Sequence, residues 1–121
     1  MASIYRLTTD ANIGVTATPT TLYTASAGIT AVVLGLTLCN KSTNTAQVSV
    51  FIESDTATSE NTGGTVANEN VTLLKDVTIN AGIALELMEG QKYILQPTDV
   101  IKVSSDIASS VDATLSYMER S

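Results

Sequence analysis

Short runs in which every second position is apolar alternate along this chain with clusters of Thr, Ser, Asn and Gly, which is the period of pleated strands rather than of helices. The longest run, residues 29–39, puts Val32, Leu34, Leu36 and Leu38 on one face and Ala31, Val33, Gly35 and Cys39 on the other. With both faces partly apolar it reads as a central strand. Residues 40–44 supply turn formers, and residues 47–53 alternate again with Val48, Val50 and Ile52 facing one way, so the two runs are expected to pair as a hairpin. Residues 54–70 hold a single large apolar side chain, Val66, and predict a long exposed loop outside the core.

Strand character resumes at residues 71–74 and 77–79. Asn80, Ala81 and Gly82 form a turn, Leu85 and Leu87 point inward from the next strand, and Glu89-Gly90 turns the chain into residues 92–95. Pro97 lacks the amide that a ladder needs, so it separates that strand from one beginning at Val100. The last strand sends Val111, Ala113, Leu115 and Tyr117 inward. With residues 21–24 added, the pattern predicts an all-β fold: a single antiparallel β-sandwich of seven or eight strands, jelly-roll or immunoglobulin-like.

Residues 1–20 are set apart from the sandwich of residues 21–121. Ile4, Tyr5, Arg6 and Leu7 are apolar, aromatic or amphipathic, and a Thr-, Asn- and Ala-rich stretch follows to Pro19. The segment reads as an edge strand of the same sandwich, with an arm that adds a strand to a neighbouring subunit as the alternative. Tyr and Arg are enriched where protein interfaces concentrate their energy, so Ile4, Tyr5, Arg6 and Leu7 are the candidate partner-contact residues. In the competing reading Tyr5 packs on its own sandwich and Arg6 is solvated.

Composition narrows the chemistry. The chain has 121 residues, and its six Lys and Arg against twelve Asp and Glu give 6 − 12 = −6, a balance that repels nucleic-acid phosphates. There is no His, which excludes Ser-His-Asp and Cys-His sites and His-ligated metals. Cys39 is the lone thiol, so no internal disulfide forms, and within an apolar strand it reads as a small core residue rather than a nucleophile. Glu86 and Glu89 could pair as a glycosidase does, and Asp55, Glu60 and Glu69 could share a calcium ion. Both sets read better as solvated surface, because the dense ligand spacing of a calcium loop is missing. Asn40-Lys41-Ser42 and Asn70-Val71-Thr72 match the glycosylation pattern by chance, and Gly63-Gly64 lacks the remainder of a phosphate loop. We therefore expect no enzyme, no catalytic residue, no cofactor and no metal. The N-terminus has no basic start followed by an apolar run, and the longest apolar stretch is about half of the roughly 20 residues a membrane helix needs, so neither classical export nor membrane association is expected.

Residues 22–40, followed by Gln47-Val48-Ser49-Val50, resemble small virion structural proteins of tailed bacteriophages. Ile79-Asn80-Ala81-Gly82, the Leu85-Glu86-Leu87 to Gly90 turn and residues 97–103 look like the second half of that family, for a match over about residues 20–118. The shared positions are turn and core patterns, so the resemblance carries over no catalytic residue. It implies a β-sandwich that serves as a capsid decoration or cement subunit, or alternatively at the neck, tail or fibre as a structural or host-recognition module. The partners it implies are the major capsid protein or other virion proteins and further copies of the chain, for example in a trimer. The negative charge favours the capsid exterior, away from packed DNA.

Overall fold

A computed structural model describes residues 3–11, 13–15, 18–54, 68–87, 92–107 and 109–120. Among these residues there are nine strands and no helix. The strands are β1 (Ser3–Asp10), β2 (Thr20–Thr24), β3 (Thr30–Asn40), β4 (Ala46–Glu53), β5 (Val71–Ile79), β6 (Ala84–Glu86), β7 (Tyr93–Leu95), β8 (Val100–Ser105) and β9 (Val111–Arg120). One sheet, sheet A, runs β1-β9-β3-β6, with β7 pairing β3 beside β6; the other, sheet B, runs β2-β8-β4-β5. All strand pairings are antiparallel. The chain crosses from sheet to sheet at each of the first three connections and again from β5 to β6, β7 to β8 and β8 to β9. This is jelly-roll connectivity, in which paired strands come from distant parts of the sequence, and it decides between the two expected sandwiches.

The expected hairpin between the two long apolar runs does not form. β3 is bonded to β9, β6 and β7 in sheet A, whereas β4 lies between β8 and β5 in sheet B. The link between them is built on Asn40, whose side chain is fully buried. Its Nδ2 donates to the carbonyls of Asn44 (2.7 Å) and Ile79 (2.9 Å), and its Oδ1 accepts from the Ser42 amide and hydroxyl. Those bonds turn the chain across the thickness of the sandwich instead of folding β4 back beside β3.

β3 is a central strand as expected, but its two faces exchange partway along. Val33 faces Tyr117 and Gly35 faces Ser116, so Leu34 is an extra residue bulged out of the β3–β9 ladder. Ala31 and Val33 point inward before the bulge, and Leu36, Leu38 and Asn40 after it. Leu34 is left exposed. A one-residue bulge inverts the side-chain alternation of a period-two strand, and the glycine beside it is the sequence's sign of such a site.

The sheets enclose a core of Ala31, Val33, Leu36, Leu38, Leu95, Val111, Ala113, Leu115 and Tyr117 from sheet A, against Leu22, Tyr23, Ala46, Val48, Val50, Ile79, Ile101 and Val103 from sheet B. Val111, Ala113, Leu115 and Tyr117 face inward as the alternation predicts, and Leu85, Leu87 and Ile52 pack against the same cluster. Residues 71–79 form one strand rather than two runs; Asp76, at φ 50°, kinks it and breaks its register with β4. Asn80 to Gly82 turn as expected, with Ile83 N donating to Asn80 O. Ahead of β2, Ile13 is fully buried and donates to Val111 O, and Ser105 N donates to Gly14 O, so residues 13–15 are stitched to the sandwich. A Cβ on Gly14 would lie 2.5 Å from the Thr18 carbonyl, which explains a glycine there.

Candidate docking surface

Ser3–Asp10 forms the outermost strand of sheet A, paired with β9 over its whole length without a register shift. The alternation sends Ile4, Arg6, Thr8 and Asp10 to the inner face, opposite Glu119, Tyr117, Leu115 and Ala113, and Ser3, Tyr5, Leu7 and Thr9 to the outer face. Of the four candidate contact residues, Ile4 and Arg6 thus share one side, and Tyr5 and Leu7 the other.

Of the inner pair, Ile4 is exposed, and Arg6 belongs to a polar cluster that fastens the strand. Arg6 Nε donates to Glu119 Oε1 (2.7 Å), the Tyr23 hydroxyl donates to Glu119 Oε2 (2.6 Å), and the Thr8 and Tyr117 hydroxyls lie 3.1 Å apart. The rings of Tyr23 and Tyr117 stack at 4.3 Å between centroids, tilted by 43°. Burial, then the Glu119 carboxylate, pushes the Tyr23 hydroxyl well above its ordinary value of 10.0, so it stays protonated and donates. This cluster ties β1, β2 and β9 together at one end of the sandwich. Arg6 is therefore engaged within its own chain, although half of its side chain remains exposed.

The outer pair belongs to a larger feature that only the strand pairing assembles. Tyr5 is opposite Met118, Met118 opposite Val32, and Val32 opposite Ile94, so one apolar row crosses sheet A from edge to edge. Tyr5 is 74% exposed, Ile94 65%, and Leu7, one row along, 62%. Leu34, pushed out by the bulge, stands beside them. The row next to it, Leu7-Ser116-Gly35, is low in the middle, and a Cβ on Gly35 would meet nothing within 4 Å. A Thr row follows: Thr9, Thr114 and Thr37. Among the described residues, charges lie at the margin on Arg120, Lys92, Lys41, Glu86 and Asp112, with Lys41 and Asp112 forming an ion pair at 2.8 Å. An apolar centre with a polar rim is how protein interfaces are built. The outward side of sheet B differs: Ser49 and Ser104 are buried there, and the Lys102–Glu53 ion pair lies beside Phe51.

Cys39 is half-buried on the outer side of β3, and Glu86 is exposed on β6. Glu89, Asp55, Glu60 and the Gly63-Gly64 pair lie outside the described residues. Among the described residues no three His, Cys, Asp or Glu side chains cluster as metal ligands would. Asn40 of the first glycosylation match is buried with its amide nitrogen bonded to two carbonyls. Of the expected loop 54–70, residues 55–67 lie outside the described residues; its first residue, Ser54, is buried rather than exposed and is bonded to Asn70 and Asn68.

No family model matches the chain, and no curated protein matches it. A solved structure of the T13 IBDV viral particle contains a chain of similar fold, with a TM-score of 0.52 at 10% identity; the match covers 97% of this chain and 30% of that one. At that identity the likeness is one of fold: an all-β architecture found in a viral particle.

Proposed function

We propose that this chain is a non-enzymatic structural protein of a virus particle, specifically a decoration or cement subunit on the outside of a tailed-phage head. The observation that carries the reading is the outer face of sheet A, where an apolar row crosses four strands with Tyr5 and Ile94 largely exposed. A chain of net charge −6 meets other proteins most readily through such an apolar face, and the rest of its surface stays hydrated. The fold shared with a chain of a viral particle supports the same setting. The mechanism is passive. Each copy buries the face against capsid neighbours, and many copies that bind only the assembled lattice oppose its opening by mass action.

The test is where the chain sits. Purified particles should carry it at a stoichiometry on the scale of the capsid lattice, and protein added to particles stripped of it should restore their resistance to heat. Tyr5→Lys with Ile94→Lys should abolish rebinding while leaving the isolated fold intact. A few copies confined to the neck, tail or fibre would relocate it, and absence from finished particles would overturn the proposal.

A further inference from the structure

Every sheet edge exposes unpaired backbone, and a protein that stays soluble normally blunts its edges. Among the described residues, three of the four edges are blunted. β6 and β7 divide one edge into two strands of three residues each. β2 has five residues with a register break between Thr21 and Tyr23. β5 is long but breaks register twice against β4, and it carries Lys75 and the positive-φ Asp76. β1 is the exception: eight residues in unbroken register with β9, with Ile4, Tyr5 and Leu7 all exposed.

We infer that β1 is a self-association edge, on which β1 of a second copy pairs antiparallel about a two-fold axis perpendicular to sheet A. The strand's charges fit this partner. Its cation, Arg6, lies in the first half and its anion, Asp10, at the end, so antiparallel self-pairing sets the Arg6 half of each strand against the Asp10 half of the other, whereas a parallel pairing sets like against like. Arg6 keeps Glu119 as its own partner and is exposed enough to face the second copy as well. The axis keeps both outer faces on one side and makes their apolar rows one surface. A contact of at most eight residues a side is small beside the standard ~800 Å² per partner, so we expect dissociation in the micromolar to millimolar range. The inference stands on the edge alone and does not depend on the virion reading.

It is tested on the isolated chain, without particles. Sedimentation velocity over a concentration series should show a reversible dimer, and Leu7→Lys should raise its dissociation constant at least tenfold with little change in the melting temperature, since Leu7 is exposed on the outer face. In a Cys39→Ser background, Leu7→Cys should cross-link with a short bis-maleimide at least tenfold faster than Val71→Cys, which occupies a comparably exposed site on the blunted β5 edge. A chain that stays monomeric to about 1 mM, a dimer unaffected by Leu7→Lys, or equal cross-linking at the two edges would each overturn the inference.

Discussion

The two faces of sheet A are built from neighbouring rows of the same strands and have opposite fates. The inner row Tyr93-Val33-Tyr117 and the outer row Ile94-Val32-Met118 are offset by a single residue on each strand. Tyr117 is 6% exposed and Val33 fully buried, whereas Ile94 stands largely in water. Side-chain character does not separate the rows, because both are apolar. What separates them is that sheet B covers one face, whereas among the described residues the other face leaves Tyr5 and Ile94 exposed. Apolar side chains thus serve stability on one side and remain available for association on the other.

That contrast can be broken by substitution, beginning where the effect is largest. Leu36, fully buried just after the bulge, should cost about 2–5 kcal/mol when changed to Ala, measured by denaturant unfolding. Leu34→Ala, two positions earlier on the exposed bulge, should stay within about 0.5 kcal/mol, and a comparable loss at both positions would mean that the bulge does not invert the strand.

Next comes the cluster that fastens the edge strand. Tyr23→Phe removes the hydroxyl bonded to Glu119 and should cost about 1.5–3 kcal/mol near neutral pH, since that bond is to a charged group. The pH dependence has a definite sign. The Tyr23 pKa is raised in the folded state, so the folded chain holds this proton more tightly than the unfolded one. The contribution is complete below the ordinary value of 10.0 and declines as the pH rises above it. Alkaline unfolding curves of the parent and of Tyr23→Phe should therefore converge above pH 10, and parallel curves would assign the loss to packing alone.

A smaller gain is expected at Thr98, a β-branched residue held at φ 74° in the turn closed by Asp99 N to Gln96 O. Thr98→Gly relieves that backbone strain and should stabilise the fold by about 1 kcal/mol, read as a rise in melting temperature, although it touches neither face of sheet A. Least of all, Ile94→Ser on the outer row should leave stability within about 0.5 kcal/mol while weakening attachment to particles. If it instead unfolds the chain, the outer face is not spare surface.

Several elements were legible in order. The inward set on β9, the turn at Asn80 to Gly82 and the break at Pro97 follow from alternation and turn chemistry, which are properties of adjacent residues. The β3–β4 link was misread because a short polar connection between two alternating runs has the same local pattern whether it closes a hairpin or crosses to the other sheet; the buried Asn40 network decides that, and it needs Ile79 from far along the chain. Of the candidate surface, the sequence singled out Tyr5 and Leu7 but not Val32, Leu34, Ile94 or Met118, which join them only through the pairings β1-β9-β3-β7.

By itself, then, the order of residues determined the strand class, the turns, the lack of His and the acidic balance, because each depends on neighbours in the chain or on composition. Tertiary structure decided the jelly-roll wiring, the inversion of β3 at Leu34 and the assembly of a bare apolar row, because each depends on which distant strands pair and on which face of a two-faced sheet the other sheet covers.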